Sequence, residues 1–326
     1  MFGWLFQLES FWLMKINKVS LYVLNYNGAQ LLTECLPSIL QSIKRSRYNA
    51  KLFVIDNQST DNSLDVLKKE FASVPVLLPN ENRYLCAFNQ YVFADDADIV
   101  VLMNNDIRVD EHFLDPLIRV FETHEDAFLA SALCWDFSGK RYEGGLSVLR
   151  KKYGWWGTLA VDPTNQNFPY TASVGANMVF RRDRFVALKG FDDLFLPLTL
   201  EDLDICYRGW KRGWKAYFVR DSIIYHKSQA TFKQKFGSAK IRELAMRNTF
   251  LFIWKNIYDT LLLFDHLFWI GPRLLGALFK ADFPFISGFF KALPKMGSAW
   301  KKRAEGKSNA QLSDRKVLSL FKPLSL

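Results

Sequence analysis

Four places in this 326-residue chain set polar residues where they could do chemistry. In residues 99–110, IVVLMNNDIRVD, an apolar run ends abruptly in Asn104, Asn105 and Asp106, and in residues 51–57, KLFVIDN, a similar run ends in Asp56 and Asn57. Carboxylate and amide oxygens converging from two strand ends suit a hard cation such as Mg2+ or Mn2+ and, through it, a diphosphate. Each end alone is also what a turn or a helix N-cap requires, so the weight lies in the pair. The third place, LEDLDICYRGWKRG (200–213), has Leu200, Leu203 and Tyr207 at helical spacing and Gly213 as a stop, which sets Glu201, Asp202 and Asp204 in the first turns. Acids there complement the helix dipole. The apolar LFLPLT before them also makes a partly dry site, where a carboxylate can act as a base. The fourth is the strand SIIYH, ending in His226, which is either a satisfied strand-end residue or a ligand for a transition metal.

The elements that must position these residues follow from the periodicity. VSLYVLN (19–25) reads as a strand, YNG as a turn, and the apolar spacing from about Gln30 to Ile43 as a helix. KLFVIDN is the next strand, and STDNS caps a helix running to Phe71. A short strand near Val76, a helix over Phe88 to Ala94 and the strand Ile99 to Met103 extend the pattern. This βαβα order predicts an α/β fold with a doubly wound, mostly parallel sheet, whose polar strand ends line the edge where open α/β sheets bind ligands. No G-x-G-x-x-G follows the first strand and no G-x-x-x-x-G-K-[ST] occurs, which argues against a nicotinamide site or a P-loop. A metal-bridged diphosphate is another way to hold a nucleotide.

Composition excludes further classes. A chain that is 49% hydrophobic and 23% charged is ordinary globular material, long enough for a full core and a second, smaller region. Cys35, Cys86, Cys134 and Cys206 are scattered without a CxxC pair, which argues against a zinc site or a disulfide framework and for a reducing, cytoplasmic setting. The net charge of +10 is concentrated: from Lys291 to the end there are nine basic and two acidic residues, or +7 of the total. The remainder is near neutral, so a nucleic-acid partner is not indicated.

In order, NYNG, DNQSTDNS, NND, GANMVFRR, KGFDDLF, EDLDICYR and His226 resemble family 2 glycosyltransferases with the GT-A fold, particularly a rhamnosyltransferase-like branch, over roughly residues 18 to 230. The resemblance implies a Rossmann-like nucleotide-binding half and an acceptor half, and an inverting, metal-dependent transfer from a dTDP-rhamnose or UDP-hexose type of donor. It further implies a glycan or lipid-linked acceptor, in cell-surface polysaccharide assembly. Position by position, it implies Asp202 as general base with Glu201 and Asp204 in support, and Asp106 and His226 at a divalent metal (Mg2+ or Mn2+). Asn25, Asp56, Asn57, Asp61, Asn89 and Asn105 fall to nucleotide binding. One segment departs: where the family commonly reads ENLGFAGGNN, residues 81–90 read ENRYLCAFNQ, so bulky Tyr84, Leu85 and Phe88 threaten the donor pocket. That departure keeps open a non-catalytic subunit that binds sugar nucleotides or glycans.

Outside this region the expectations are of surfaces. In KKYGWWGTL, Trp155 and Trp156 are platforms for a sugar ring or lipid, or else core residues of a small hairpin. A helix is expected from Ile241 to Ile257. The Leu-, Phe- and Trp-rich segment beyond it is interrupted by Asp265, Arg273, Lys280 and Asp282 and broken by Pro272 and Pro284, short of the roughly 20 uninterrupted apolar residues of a spanning helix. It predicts short amphipathic helices lying in a membrane surface, with the basic tail against anionic head groups. Packing on the catalytic domain or on a partner subunit, including a homodimer, is the other reading. The expected organisation is an apolar extension (1–17), a GT-A domain (18–235) and a C-terminal helical region (236–326), peripheral at the inner face of the cell membrane. Residues 1–13 carry no signal-peptide cleavage site; they are a second interfacial anchor or precede a start at Met14.

Overall fold

The computed structural model describes residues 14–165, 168–175, 177–227 and 230–322, so the expectations for residues 1–13 lie outside the described residues. The chain runs β1 (Val19–Asn25), α1 (Ala29–Arg45), β2 (Ala50–Asp56), α2 (Ser63–Glu70), β3 (Val76–Leu77), α3 (Ala87–Ala94), β4 (Ile99–Asn104), β5 (Ile107–Val109), α4 (Leu114–Thr123) and β6 (Ala127–Asp136). It continues through β7 (Tyr142–Gly144), β8 (Ser147–Lys152), β9 (Trp155–Ala160), β10 (Asn177–Arg181), α5 (Arg182–Ala187), α6 (Glu201–Lys211) and β11 (Lys215–His226). Five helices close it: α7 (Ala230–Asn256), α8 (Thr260–Phe279), α9 (Phe283–Ala292), α10 (Met296–Lys307) and α11 (Asp314–Leu320).

The main sheet has the order β3-β2-β1-β4-β10-β6-β11-β5, with β7 added on β6. β3, β2, β1 and β4 are parallel, β10 runs against both β4 and β6, β11 is parallel to β6, and β5 is antiparallel on β11. The sheet is therefore mostly parallel, and it curls: only Asn105 and Asp106 separate β4 in its middle from β5 at its edge.

Both faces are covered, which is why the strands read as unbroken apolar runs rather than as alternating ones. Ile99, Val101 and Met103 of β4 join a core with Leu36 of α1, Leu67 of α2 and Phe121 of α4. Val100 and Leu102 face the other way, into a core with Phe88 of α3, Phe185 of α5, Tyr207 of α6 and Phe252 of α7. That second core runs on into the C-terminal helices through Phe285, Ala292, Ala299, Val317 and Phe321.

Part of the basic tail is engaged by the domain: Lys302 bonds Asp192 (2.7 Å) and Asp193 (3.1 Å), Arg303 donates to the Ile257 carbonyl, and Val317 and Phe321 are buried. One expectation needs correction. The segment after Asp259 is not a set of short helices broken at Pro272; α8 runs straight through that proline for 20 residues. An interior proline costs about 3 kcal/mol. The buried stripe of Leu263, His266 and Ala277 gives the helix a reason to continue. By length and composition α8 is the one helix among the described residues that could cross a membrane.

Candidate active site

The strand register brings the first polar ends together. Asn25 stands beside Asp56 and Leu24 beside Asn104, so the C-terminal ends of β1, β2 and β4 form one floor. Across it, Asn105 Nδ2 donates to Asn25 Oδ1 (2.7 Å) and Asn25 Nδ2 donates to Asp56 Oδ2 (2.9 Å), while the Ser59 amide donates to Asp56 Oδ1 (2.9 Å). Asn57 Nδ2 donates to Asn82 Oδ1 (3.0 Å), and Asn57 Oδ1 accepts from the Arg83 amide (3.2 Å). These groups are buried and satisfied by each other, as buried polar groups must be. The glycine of NYNG makes room for the chain of amides, because a Cβ on Gly28 would lie 2.0 Å from Asn105 Nδ2 and 2.7 Å from Asn25 Oδ1. Gly28→Ala is therefore expected to lower stability by about 2 kcal/mol, read as a lower urea midpoint.

Beside this floor the turn between β4 and β5 carries Asp106, and β5 pairs with β11 so that His226 faces Ile107. His226 Nε2 lies 3.4 Å from Asp106 Oδ2, and its Nδ1 lies 3.3 Å from Glu143 Oε2 on β7. Burial pulls the imidazole pKa down, the Asp106 and Glu143 carboxylates push it up, and the carboxylates prevail. Asp106 Oδ1 is buried and has no hydrogen-bond partner among the described residues. A buried carboxylate oxygen left open beside an imidazole fits a divalent cation. Glu143, which sequence reasoning missed, sits at the other ring nitrogen, where a carboxylate can fix the orientation of the imidazole. Cys134 Sγ also lies within 4.8 Å of Glu143 and His226 ligand atoms, but burial pushes its thiol up to about 12. It stays a thiol, which a hard cation does not favour. Glu143, His226, Gly175 and Asn177 line a cavity of about 460 Å³ at this end of the sheet.

The acids of α6 arrive from the other side. The turn before the helix holds Thr199 at φ 76° and Leu200 at φ 68°, left-handed conformations that cost a β-branched or branched residue of order 1–3 kcal/mol each. α7 holds them there: Asn248 Nδ2 donates to the carbonyls of Phe195 (2.7 Å), Leu198 (2.8 Å) and Thr199 (2.9 Å), and Arg247 donates to that of Leu196 (2.6 Å). The result sets Asp202 against Ser173, whose Oγ donates to Oδ2 at 3.0 Å, while the Leu203 amide donates to Oδ1 at 2.8 Å. Ser173 lies four residues before Asn177 of β10, which pairs with Met103, so one short segment links the acid to the sheet floor. Burial raises the Asp202 carboxyl above its ordinary value. Burial and the Asp202 charge push Glu201 up to about 8, and its Oε2 is buried without a partner among the described residues. Two adjacent half-buried carboxyls thus resist carrying two charges at once.

Three predicted residues lie elsewhere. Asp204 is fully buried on the opposite side of α6, bonded to Arg208 (2.8 Å), Lys255 (2.6 Å) and Asn256 (2.8 Å), so it is structural. Asn89 clamps the backbone of Phe191 with both its amide atoms (2.8 and 2.9 Å). Asp61 is exposed and caps the start of α1 by accepting from the Ala29 amide (3.1 Å). In the altered segment, Phe88 turns into the core against Phe191 and does not obstruct the cleft. Tyr84, standing where a family glycine is expected, takes a glycine-like φ of 52°. Trp156 is likewise core, whereas Trp155 is half-buried and packs on Phe250 (5.0 Å).

A sequence model described as "Glycosyl transferase family 2" matches residues 20–185, just over half of the chain and the part that builds the floor and the Asp106 turn. The chain belongs to glycosyl transferase family 2. Among solved structures, this family 2 chain is similar to GalNAc-T7 with UDP, GalNAc and Mn2+ (18% identity, TM-score 0.59, covering 76% of this chain and 49% of that one). It is also similar to S. aureus TarS (16%, 0.52, 77% and 43%) and to the mannosyltransferase PcManGT from Pyrobaculum calidifontis in complex with GDP-Man and Mn2+ (16%, 0.51, 95% and 86%). At these identities the likeness is one of fold, and the glycosyltransferase spans less than half the length of the first two. No curated protein matches its sequence.

Proposed function

We propose that this glycosyltransferase moves a sugar from a nucleotide-diphosphate donor, of the dTDP-rhamnose or UDP-hexose type, to a glycan or lipid-linked acceptor with inversion, in cell-surface polysaccharide assembly at the cytoplasmic side of a membrane. The observation that carries the reading is the placement of Asp202: a half-buried carboxylate of raised basicity, fixed by Ser173 and the Leu203 amide, beside the segment that precedes β10. In the reaction the acceptor oxygen forms a bond to the anomeric carbon as the bond to the diphosphate oxygen breaks, and Asp202 takes the hydroxyl proton. Glu201, kept neutral by its raised pKa, leaves the negative charge on Asp202. Asp106 and His226 would hold a divalent cation, with Glu143 behind the imidazole; bound there, the ion supplies positive charge against the departing diphosphate. Asn25, Asp56, Asn57 and Asn105 supply the fixed polar floor for the nucleotide. Of the three bulky residues that favour the non-catalytic alternative, Phe88 lies in the core, while Tyr84 and Leu85 stay half-buried.

The test is nucleotide release from UDP-, dTDP- and GDP-sugars with and without Mn2+ or Mg2+, followed by the anomeric configuration of the product. Turnover of one donor, stopped by chelator and restored by the ion, is the expected result; a retained configuration or a rate indifferent to metal would overturn it. A second expectation concerns Ser173. Its hydrogen bond favours the ionised form of Asp202, so Ser173→Ala should move the acidic limb of the rate profile to higher pH.

A further inference from the structure

We propose that the outer face of α8 and α9 docks flat on an anionic lipid bilayer, with the basic cleft between α7, α8 and α9 meeting lipid phosphates. This goes beyond the transferase reading and uses no step of it, so either can fail while the other stands.

The first observation is an inverted helix. α8 buries Leu263, His266 and Ala277 on its inner side, yet Leu261, Phe264, Phe268, Leu275 and Phe279 follow at helical spacing on the outer side and are exposed, Phe268 by 71% and Phe279 by 88%. Phe283 and Phe290 of α9 and Trp300 of α10 add to the exposed apolar surface. A helix apolar on all sides belongs in an apolar medium, and monomers rarely leave so large an apolar patch in water.

The second observation fixes the orientation. Although α8 is long and apolar enough to cross a bilayer, it is fastened along its length to the tip of the β8–β9 hairpin. Lys151 pairs with Asp265 (2.6 Å), His266 Nδ1 donates to the Gly154 carbonyl (2.9 Å), and Arg273 donates to the carbonyls of Lys152 (2.9 Å) and Tyr153 (3.1 Å). Gly154, at φ 68°, lets the strands come this close, for a Cβ there would sit 2.7 Å from His266 Cα. A helix stapled sideways to a globular domain lies in the membrane plane with one face immersed. Tyr153 and Trp269 pack at 4.8 Å beside it, an aromatic pair suited to the head-group level.

The third observation selects the occupant. Residues 260–301 carry five basic residues (Arg273, Lys280, Lys291, Lys295 and Lys301) against two acidic ones, Asp265 and Asp282. Both acids are engaged, by Lys151 and by Arg242 (2.5 Å), and Lys291 is paired with Glu243 (2.7 Å), which leaves Arg273, Lys280, Lys295 and Lys301 as the surplus charge. A second copy would bring like charge against like, whereas phosphate head groups complement it. Arg242, paired there with Asp282, and Arg273 and Lys280, whose charges are unpaired among the described residues, line with Trp155 and Phe285 a cleft of about 400 Å³ at this surface, wide enough for a head-group phosphate.

The experiment is co-sedimentation of the full chain with vesicles of phosphatidylcholine alone or with about 30 mol% phosphatidylglycerol, at low and high salt, beside Phe268→Asp/Phe279→Asp and Lys280→Glu/Lys301→Glu double variants. The expected result is binding to the anionic vesicles, at least tenfold weaker with neutral ones, reduced at least tenfold by the aspartates and several-fold by the glutamates. All four side chains are exposed, so unchanged urea midpoints will show that the variants fold. Binding to neither vesicle, or undiminished binding by the aspartate variant, would overturn the proposal. So would a dimer in light scattering that the aspartates dissociate.

Discussion

Asp202→Asn is expected to reduce sugar transfer by about 10³-fold, the scale of a lost general base, without unfolding the chain. The amide keeps the shape: its oxygen can accept from the Leu203 amide, and its nitrogen can donate to Ser173 Oγ, which now accepts. Stability separates chemistry from damage. Because burial raises the Asp202 carboxyl, the folded state prefers it protonated, so the stability it gives is full at low pH and is lost as pH rises through the folded value. The neutral amide removes that loss. At pH 8 the variant should therefore melt no lower than the parent while being nearly inactive, whereas a fall in melting temperature equal to that of a core variant would make the residue structural. The residual rate should also lose its acidic limb, since that limb belongs to the Glu201–Asp202 pair.

Lys255→Met is expected to cost about 3 kcal/mol of stability, the consequence of removing one partner from a buried ionic cluster. Lys255 is buried on α7 with its ammonium 2.6 Å from Asp192 and 2.6 Å from Asp204. Burial itself raises the Asp192 pKa, but the Lys255 charge outweighs it and holds the carboxyl well below the usual range. For a depressed carboxyl the stabilisation is present above its unfolded pKa and lost as pH falls through the folded one. The gap between the two urea midpoints should thus be constant through neutrality and close only in strong acid. A gap that closes between pH 6 and 8 would mean that another group is responsible. The cluster also explains why activity should suffer: Asp204 is two residues from Asp202 on α6, and Asn256 and Lys255 reach it from α7.

The parallel half of the fold was legible because burial on both faces writes β1, β2 and β4 as apolar runs whose polar ends stand out. Asn25, Asp56, Asn105 and Asp106 are found in this way. β5, of three residues, leaves no pattern to read. Glu143 and Ser173 were invisible because their partners, His226 and Asp202, are brought to them by antiparallel additions and loops whose pairing no local rule gives. Motif membership placed Asn89, Asp61 and Asp204 in the site, whereas side-chain direction takes them to the backbone clamp, the helix cap and the ionic cluster. Pro272 reads as a stop from local cost alone, which tertiary burial overrides, and Tyr84 shows the same override, its backbone held left-handed where the side chain alone would refuse it.

The chain of amides on the floor has a polarity, and one charge sets it. A carboxylate can only accept, so Asp56 obliges Asn25 to turn its NH2 toward it; Asn25 must then offer its oxygen to Asn105, and Asn105 in turn its NH2. Two amides that could each point either way are thereby reduced to one state in four. A neutral asparagine at position 56 would let the sequence of donors and acceptors run backwards, so that the same residues, in the same places, would present the inverse pattern to whatever lies above them.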